Sequence, residues 1–272
     1  MKFRFLKIVV LTFIVLLTSS FVSNSKKEEF QGQAYYFSKS TMDLGTWGAR
    51  LSDAQKKQIA NRMKGRLEKT FVLTFNKEAS LFLEEEKLDA ISGATDSWGK
   101  NFAPGEQYKN VKSNIQVQEQ EFYGKRFLVK DKLQDIEWKL ESDTKQIGSY
   151  MCFRATALIP TSDLNWYSFS WDSLREKEKD NSSVALTAVE AWYTMNIPVS
   201  HGPMEYWGLP GLILEVSAGN TTILCSKIIM NPNEKIIIEA PNKGKIVTKK
   251  NYQEIITEKM IEFRDNRRRR QG

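Results

Sequence analysis

The sequence is poor in the residues that usually build metal centres and nucleophilic sites. Among its 272 residues there is one histidine, His201, and there are two cysteines, Cys152 and Cys225. A structural zinc site takes four ligands, usually from closely spaced Cys or His pairs, so that class is excluded. Two cysteines also exclude a fold held together by several disulfides. They are a candidate disulfide pair in an oxidising compartment or two separately buried thiols, and the sequence leaves both open.

The chain also lacks the common catalytic motifs: it has no GxSxG elbow, no HExxH helix, no P-loop and no GxGxxG turn after a strand. A hydrolase would therefore have to use His201 as its base, in a Ser-His-acid or a Cys-His arrangement, the latter with Cys152 or Cys225 as nucleophile. A soft-metal site is the other chemical alternative, because thioether, thiol and imidazole groups of Met195, Met204, His201 and the cysteines suit Cu(I). A lone histidine and scattered methionines are more often structural. We therefore assign no catalytic residue, no metal ligand and no cofactor.

The first 25 residues have the order of a secretory signal peptide. A basic start is followed by an apolar run over residues 8–21 and by small residues at 23–25. The run is shorter than the roughly 20 residues that a membrane span needs, so cleavage is favoured over anchoring. No cysteine follows it, which argues against a lipoprotein. The sequence thus predicts export to the periplasm or the medium, with no membrane span after cleavage.

The formal net charge of +7 comes largely from the C-terminal end, where Arg264 and Arg267–Arg270 lie. Without this run and the signal, the body is nearly neutral, which does not support a nucleic-acid partner. We predict a basic disordered tail at residues 265–272, after a single β-rich domain at 26–264.

Most of that domain shows the alternating pattern of antiparallel strands, separated by Gly, Pro and Asn turns. Two segments have helical periodicity instead: about 52–68, which opens with a Ser52–Gln55 capping box, and about 249–264. The predicted fold is mainly β (α+β): a curved antiparallel sheet or half-barrel with two covering helices.

One stretch, residues 191–216, concentrates turn-forming residues and contains the only histidine. We interpret it as a structural corner between two strands, with Leu209–Leu212 as a type II turn that places Gly211 at positive φ. Replacement of Gly211 by Val should then destabilise the fold. The residues of this structural motif are Pro198, Gly202, Pro203, Gly208, Pro210 and Gly211.

Three sequence blocks resemble the GLPGLI family (Porph_ging type) of secreted or periplasmic proteins from Bacteroidetes. The blocks are GLPGLIL at 208–214, AWYTMNIPVSHGP at 191–203 and WKLESDTKQIGSYMCFRAT at 138–156. The resemblance implies an envelope protein of a family without established activity. As an analogy of architecture only, such a sheet is similar to the half-barrels that carry lipoproteins through the periplasm.

Aromatic residues are abundant, and several fall in loops rather than in predicted strands. These loop aromatics predict non-enzymatic binding, either of a hydrophobic ligand in a sheet concavity or of an envelope protein partner on an aromatic patch. The alternative is that the loops fold back and the rings cap the core. The candidate ligand-binding residues are Trp98, Phe102, Trp166, Tyr167 and Trp171.

Overall fold

A computed structural model describes residues 30–42, 48–85, 102–171, 174–175, 184–234 and 236–271. The predicted signal peptide and Trp98 lie outside these ranges. The described residues form twelve strands, whose bounds are β1 Gln31–Ser40, β2 Glu68–Asn76, β3 Ala79–Glu84, β4 Gln107–Asn110, β5 Ile115–Phe122, β6 Lys125–Asp131, β7 Lys139–Ile147, β8 Tyr150–Pro160, β9 Leu186–Thr194, β10 Leu212–Ala218, β11 Thr221–Met230 and β12 Lys245–Val247.

All twelve strands belong to one open, curved sheet in the order β12-β6-β5-β4-β3-β2-β1-β11-β10-β9-β8-β7. Neighbouring strands are antiparallel except β12 and β6, which are parallel. Strand β1 lies in the middle, between β2 and β11. Its side chains alternate between buried and half-buried over most of its length, as a strand covered on one face requires. The prediction of a mainly β, curved antiparallel sheet is confirmed.

The first predicted helix is present as α1, Asp53–Leu67. Ser52 caps it: the Gln55 backbone N–H donates to Ser52 Oγ, and the Ser52 backbone N–H donates to Gln55 Oε1. This reciprocal pair is the capping box that the sequence predicted. The apolar positions Ile59, Met63 and Leu67 are only half-buried, and no residue of α1 is fully buried. The helix therefore covers the sheet less completely than its periodicity suggested.

The described residues also include a short helical turn, α2 at Thr161–Leu164, and a long C-terminal helix, α3 at Lys249–Gln271. Helix α3 buries Tyr252, Ile256 and Met260, which are spaced four residues apart along one face. It continues past the predicted end near 264, so residues 265–271, predicted as a basic tail, are helical in the structure. The physical reason is that arginine is a good helix former and is favoured near a helix C-terminus. No helix in the described part of the chain has the length and apolar character of a membrane span.

Two apolar clusters of the described residues bear on the position of the candidate site. The first joins β8, β9 and β10 to the residues around Tyr206 and Leu209. The second lies between β5, β6 and α3 and contains Phe122, Phe127 and Trp166. Between these clusters the sheet carries buried polar side chains, and that region positions the candidate site.

Candidate functional site

Residues 195–211, which connect β9 to β10, lie against one face of the sheet; we call them the plug segment and that face the inner face. The inner face carries Gln107 and Lys109 of β4, which pair with Gln118 and Gln116 of β5. All four side chains are buried. Because buried polar groups must find hydrogen-bond partners, this part of the sheet needs a polar cover. The plug segment supplies it.

Lys109 holds the plug segment through three backbone carbonyls. Its ammonium donates to the carbonyl oxygens of Gly202, Met204 and Tyr206 at 2.7, 2.6 and 3.2 Å. The side chain is fully buried. Burial lowers the pKa of Lys109 to about 7, although nearby Glu205 opposes the shift. Three carbonyl acceptors satisfy all three ammonium hydrogens, so this lysine fixes a backbone conformation.

Glu205 is the second polar anchor of the plug segment, and it is 4% exposed. Its Oε1 accepts hydrogen bonds from Gln107 Nε2 and Gln116 Nε2 at 3.0 Å and from Trp166 Nε1 at 2.9 Å. Its Oε2 forms an ion pair with Lys249 Nζ at 3.0 Å. We call these five side chains the Glu205 network. It ties the plug segment to β4, β5, the loop after α2 and the start of α3.

His201, the residue on which a hydrolase would depend, is fully buried. Its Nε2–H donates to the carbonyl oxygen of Asn76 at 3.0 Å. Burial, aided by the Lys109 charge, lowers the pKa of His201 to about 3. The imidazole is therefore neutral at ordinary pH and shielded from solvent, which gives no support to a role as general base.

The turn residues of the plug segment act by close packing more than by positive φ. Gly208 has φ +91°, but Gly211 lies outside the positive-φ region, so the predicted type II turn at Leu209–Leu212 is wrong. A Cβ on Gly211 would lie 2.1 Å from the carbonyl oxygen of Thr194. The glycine is needed because two backbone segments approach each other here. Within the same motif Gly202, Pro203 and Gly211 are buried, whereas Pro198, Gly208 and Pro210 are exposed.

The candidate ligand-binding aromatics that the structure describes are brought together beside α3. Trp166 is 1% exposed and packs edge-to-face against Tyr252 and Tyr167, with ring centroids 5.9 and 5.6 Å apart. Phe102, Tyr167 and Trp171 are partly buried against the same cluster. These rings cap the second apolar cluster, which is the alternative that the sequence left open. Ligand binding by them remains a prediction, and Trp98 lies outside the described residues.

The two cysteines are both free and buried, Cys152 on β8 and Cys225 on β11. Strands β9 and β10 lie between them in the sheet. Each thiol donates to a backbone carbonyl of its own strand, and no bond joins the two sulfur atoms. The structure therefore contradicts the candidate disulfide. Burial also raises the pKa of Cys152 to about 11 and that of Cys225 to about 12, so both remain protonated thiols.

The opposite side of the sheet, which we call the outer face, is open over β7, β8 and β9. Arg154 forms ion pairs with Asp143 at 2.7 Å and Glu190 at 3.6 Å. Lys145 pairs with Glu215 at 2.7 Å and lies 4.3 Å from the ring centroid of Trp192. These pairs form a charged surface beside the open edge of β7.

Next to these charges the outer face carries an apolar surface that we call the outer patch. Leu158 is 66% exposed and stands opposite Ala188, which is also exposed. Leu186 is 54% exposed and stands opposite Pro160, while Val184, just before β9, is 66% exposed. The outer patch therefore comprises Leu158, Val184, Leu186 and Ala188. Sequence reasoning missed it, although the alternation of Leu158 with buried Ala157 and Ile159 carried the signal.

Within the described ranges, no group of three or more His, Cys, Asp or Glu side chains is arranged to hold a metal ion. The histidine and the two cysteines of the proposed soft-metal site each have a hydrogen-bond partner in the protein. His201 bonds to Asn76, and the Cys152 and Cys225 thiols each donate to a backbone carbonyl of their own strand. The structure thus adds no support to the copper alternative.

Comparison with solved structures finds similarity to PNGF-II in two crystal forms, "Structure of PNGF-II in C2 space group" and "Structure of PNGF-II in P21 space group". In both, sequence identity is 15%, the TM-score is 0.49 and 84% of this chain is covered. The chain spans 32% and 33% of those proteins, about a third of their length. A comparison with curated proteins gives no match.

A family model described as "Protein of unknown function (Porph_ging)" matches residues 138–215. This range runs from just before β7 into β10 and includes the plug segment. It also contains all the candidate residues of the structural motif, from Pro198 to Gly211. The match at residues 138–215 confirms the resemblance to the GLPGLI (Porph_ging) family that the sequence predicted.

Proposed function

We propose that this protein is exported to the cell envelope and acts there, without catalysis, by binding a protein partner through the outer face of its sheet. The observation that carries the proposal is the outer patch, in which Leu158 and Leu186 are 66% and 54% exposed on adjacent strands. Contiguous exposed apolar side chains with a polar rim are typical of protein-binding surfaces. Export rests on the N-terminal signal pattern alone.

The packing of the inner face favours a protein partner over an apolar ligand. A ligand in the sheet concavity would need apolar free space, but the plug segment occupies this face and is anchored by Lys109 and Glu205. Displacing it would leave a buried ammonium and a buried carboxylate without partners, which costs several kcal/mol. The outer patch needs no such rearrangement.

The charged pairs beside the outer patch suit the rim of an interface. Thr156 and Glu190 face each other directly next to the Leu158–Ala188 pair, and Arg154 pairs with Glu190. Exposed ion pairs contribute little to stability but influence partner choice and association rate. An apolar centre flanked by such charges is the usual arrangement of a protein–protein contact.

The test is capture of partners from a native envelope extract by the wild-type protein and by the double variant Leu158→Asp/Leu186→Asp. A matched control carries the same change at two other exposed apolar positions, Ile237→Asp/Ile246→Asp; these residues are 70% and 68% exposed. We expect one set of proteins to be retained by the wild type and the control but lost from the outer-patch variant. Equal retention by all three, or recovery of lipid alone by mass spectrometry, would contradict the proposal.

A further inference from the structure

The last turns of α3 carry a concentration of positive charge. Arg267, Arg268, Arg269 and Arg270 are consecutive and exposed. In the described part of the chain none of the four forms an ion pair, because the nearby carboxylates of Asp265 and Glu262 pair with Arg264 and Lys259. Four guanidinium groups therefore face solvent on an ordered helix.

Two of these arginines line a groove together with an aromatic ring and an amide. The groove measures about 490 Å³ and is lined by Phe263, Asn266, Arg267 and Arg270. These positions are spaced i, i+3, i+4 and i+7, so they share one helix face. Guanidinium groups bind phosphate oxygens in a bidentate manner, and the asparagine amide adds a neutral donor. The groove therefore suits a phosphate group attached to an apolar carrier.

Half-exposed aromatic rings surround this helix end. Tyr123, at the tip of the β5–β6 hairpin, is 40% exposed, and its ring centroid lies 4.8 Å from that of Phe263. The Arg264 guanidinium lies 5.6 Å from the centroid of the Trp171 ring. Lys125 and Arg126 follow Tyr123 and are also exposed. We call this region, from the hairpin tip to Arg270, the cationic aromatic end.

The helix macrodipole explains only part of this arrangement. Positive side chains in a last turn are favoured by the partial negative charge there, but this effect requires neither a groove nor neighbouring aromatic rings. Cationic side chains beside Tyr and Trp are instead the composition of segments that lie at the lipid–water interface. The charge is also local: the whole chain has a formal charge of +7, and five of its arginines lie at positions 264–270. A nucleic acid would favour an extended basic track.

We propose that the cationic aromatic end docks the protein peripherally on a membrane surface that contains anionic phospholipid. The arginines contact lipid phosphates, and the rings of Tyr123 and Phe263 lie at the level of the headgroups. This inference is independent of the proposed function, because the outer patch and the cationic aromatic end share no residue. Each lipid-facing arginine adds affinity that falls with salt concentration.

The test is vesicle co-sedimentation of the full chain with phosphatidylcholine vesicles and with vesicles containing added phosphatidylglycerol. The test variant is Arg267→Gln/Arg270→Gln. The control variant, Arg50→Gln/Arg62→Gln, removes the same charge from two other exposed positions. Binding to phosphatidylcholine vesicles measures the contribution of the apolar residues 8–21 to membrane binding, which is the same in every variant. We expect phosphatidylglycerol to increase binding, and the test variant to lose roughly 30-fold in partition coefficient, from about 1 kcal/mol per arginine. The control should stay within about twofold.

Three results would overturn the proposal. The first is equal binding to both kinds of vesicle, and the second is the same loss in the test and control variants. The third is complete release of the protein from the vesicles by millimolar inorganic phosphate, or by a short single-stranded oligonucleotide, at constant ionic strength. That release would assign the groove to a free phosphate or to a nucleic acid rather than to a lipid surface.

Discussion

The inner and outer faces of this sheet both carry ionised side chains, but they use them differently. On the inner face, Lys109 and Glu205 are 0% and 4% exposed, and each is held by several hydrogen bonds. On the outer face, the side chains of Lys145 and Arg154 are 34% and 33% exposed and form simple pairs. A buried charge enforces one arrangement because leaving it unpaired is costly, whereas an exposed pair can rearrange at little cost. The inner face therefore fixes shape, and the outer face is the surface that we propose for binding.

The largest expected effect is from Glu205→Ala. The substitution leaves the Lys249 ammonium and the Trp166 indole N–H without their acceptor in a buried site. It also removes one of the two acceptors of the Gln107 and Gln116 amides, so we expect the free energy of unfolding to fall by about 3–5 kcal/mol. The measurement is urea unfolding. The matched outer-face variant Asp143→Ala removes one partner of Arg154 and should cost less than about 1 kcal/mol. A similar loss in the free energy of unfolding for the two variants would contradict the proposed difference between the inner and outer faces.

The next largest effect is expected from substitution of Gly211, whose backbone lies close to the Thr194 carbonyl group. Because a Cβ would lie 2.1 Å from the Thr194 carbonyl oxygen, Gly211→Ala should destabilise the protein by about 2 kcal/mol, and Gly211→Val by more. A Cβ added to Gly65, in α1, would have no neighbouring atom within 4 Å, so Gly65→Ala should stabilise by up to about 1 kcal/mol. Opposite shifts in melting temperature are expected. An unchanged melting temperature for Gly211→Ala would refute the backbone contact.

A third prediction concerns acid stability. The pKa of folded His201 is lowered to about 3, whereas an unfolded histidine titrates near 6.5. Between these values the unfolded chain takes up a proton that the folded protein does not, so stability falls as pH falls. The loss is about 1.4 kcal/mol per pH unit below roughly pH 6.5.

This prediction is checked by urea unfolding of the wild type and His201→Gln at pH 7.5 and 5.5. Since His201 is the only histidine, the stability difference between the two proteins should narrow at the lower pH. Carboxylates titrate in both proteins and cancel. Parallel curves would mean that the imidazole is accessible to protons in the folded state.

The smallest effect is expected on the outer face. A double-mutant cycle with Lys145→Ala and Glu215→Ala measures the coupling of a pair whose side chains are 34% and 18% exposed. We expect about 0.5–1 kcal/mol, decreasing with added salt. A coupling as large as the loss from Glu205→Ala would show that the outer pair is structural.

The parts of the fold that local chemistry decides could be predicted from the sequence. Ser52 and Gln55 lie three residues apart and cap α1 reciprocally, so that helix was recognisable from four residues. The alternation along β1 and β8 likewise follows from one covered face. In contrast, Gln116, Gln118 and Gln120 alternate as if they faced solvent, yet they are buried. Of these, Gln116 donates to Glu205 of the plug segment, 89 residues away in sequence, and no local pattern encodes that contact.

The candidate site was predicted least well, for the same reason. The sequence singled out the turn residues around Gly211 but not Lys109 or Glu205, whose importance arises from contacts 97 and 89 residues apart in sequence. It left Cys152 and Cys225 open as a disulfide or as two separately buried thiols, and the alternatives are separated only by the strand order, which places β9 and β10 between them. Among the aromatics, Trp166 became a buried donor to Glu205. Long-range contacts decided each of these outcomes.

The central position of β1 also constrains how the chain folds. Gln31, at the start of β1, donates its backbone N–H to Asn231, 200 residues further along the sequence. The strands from β7 to β11 can therefore join the N-terminal half of the sheet only after nearly the whole chain has been synthesised. Closing such long loops before native contacts form makes folding slow. A chain with this topology should remain unfolded longer than a helical protein of the same length, and such a delay would suit the export that we propose.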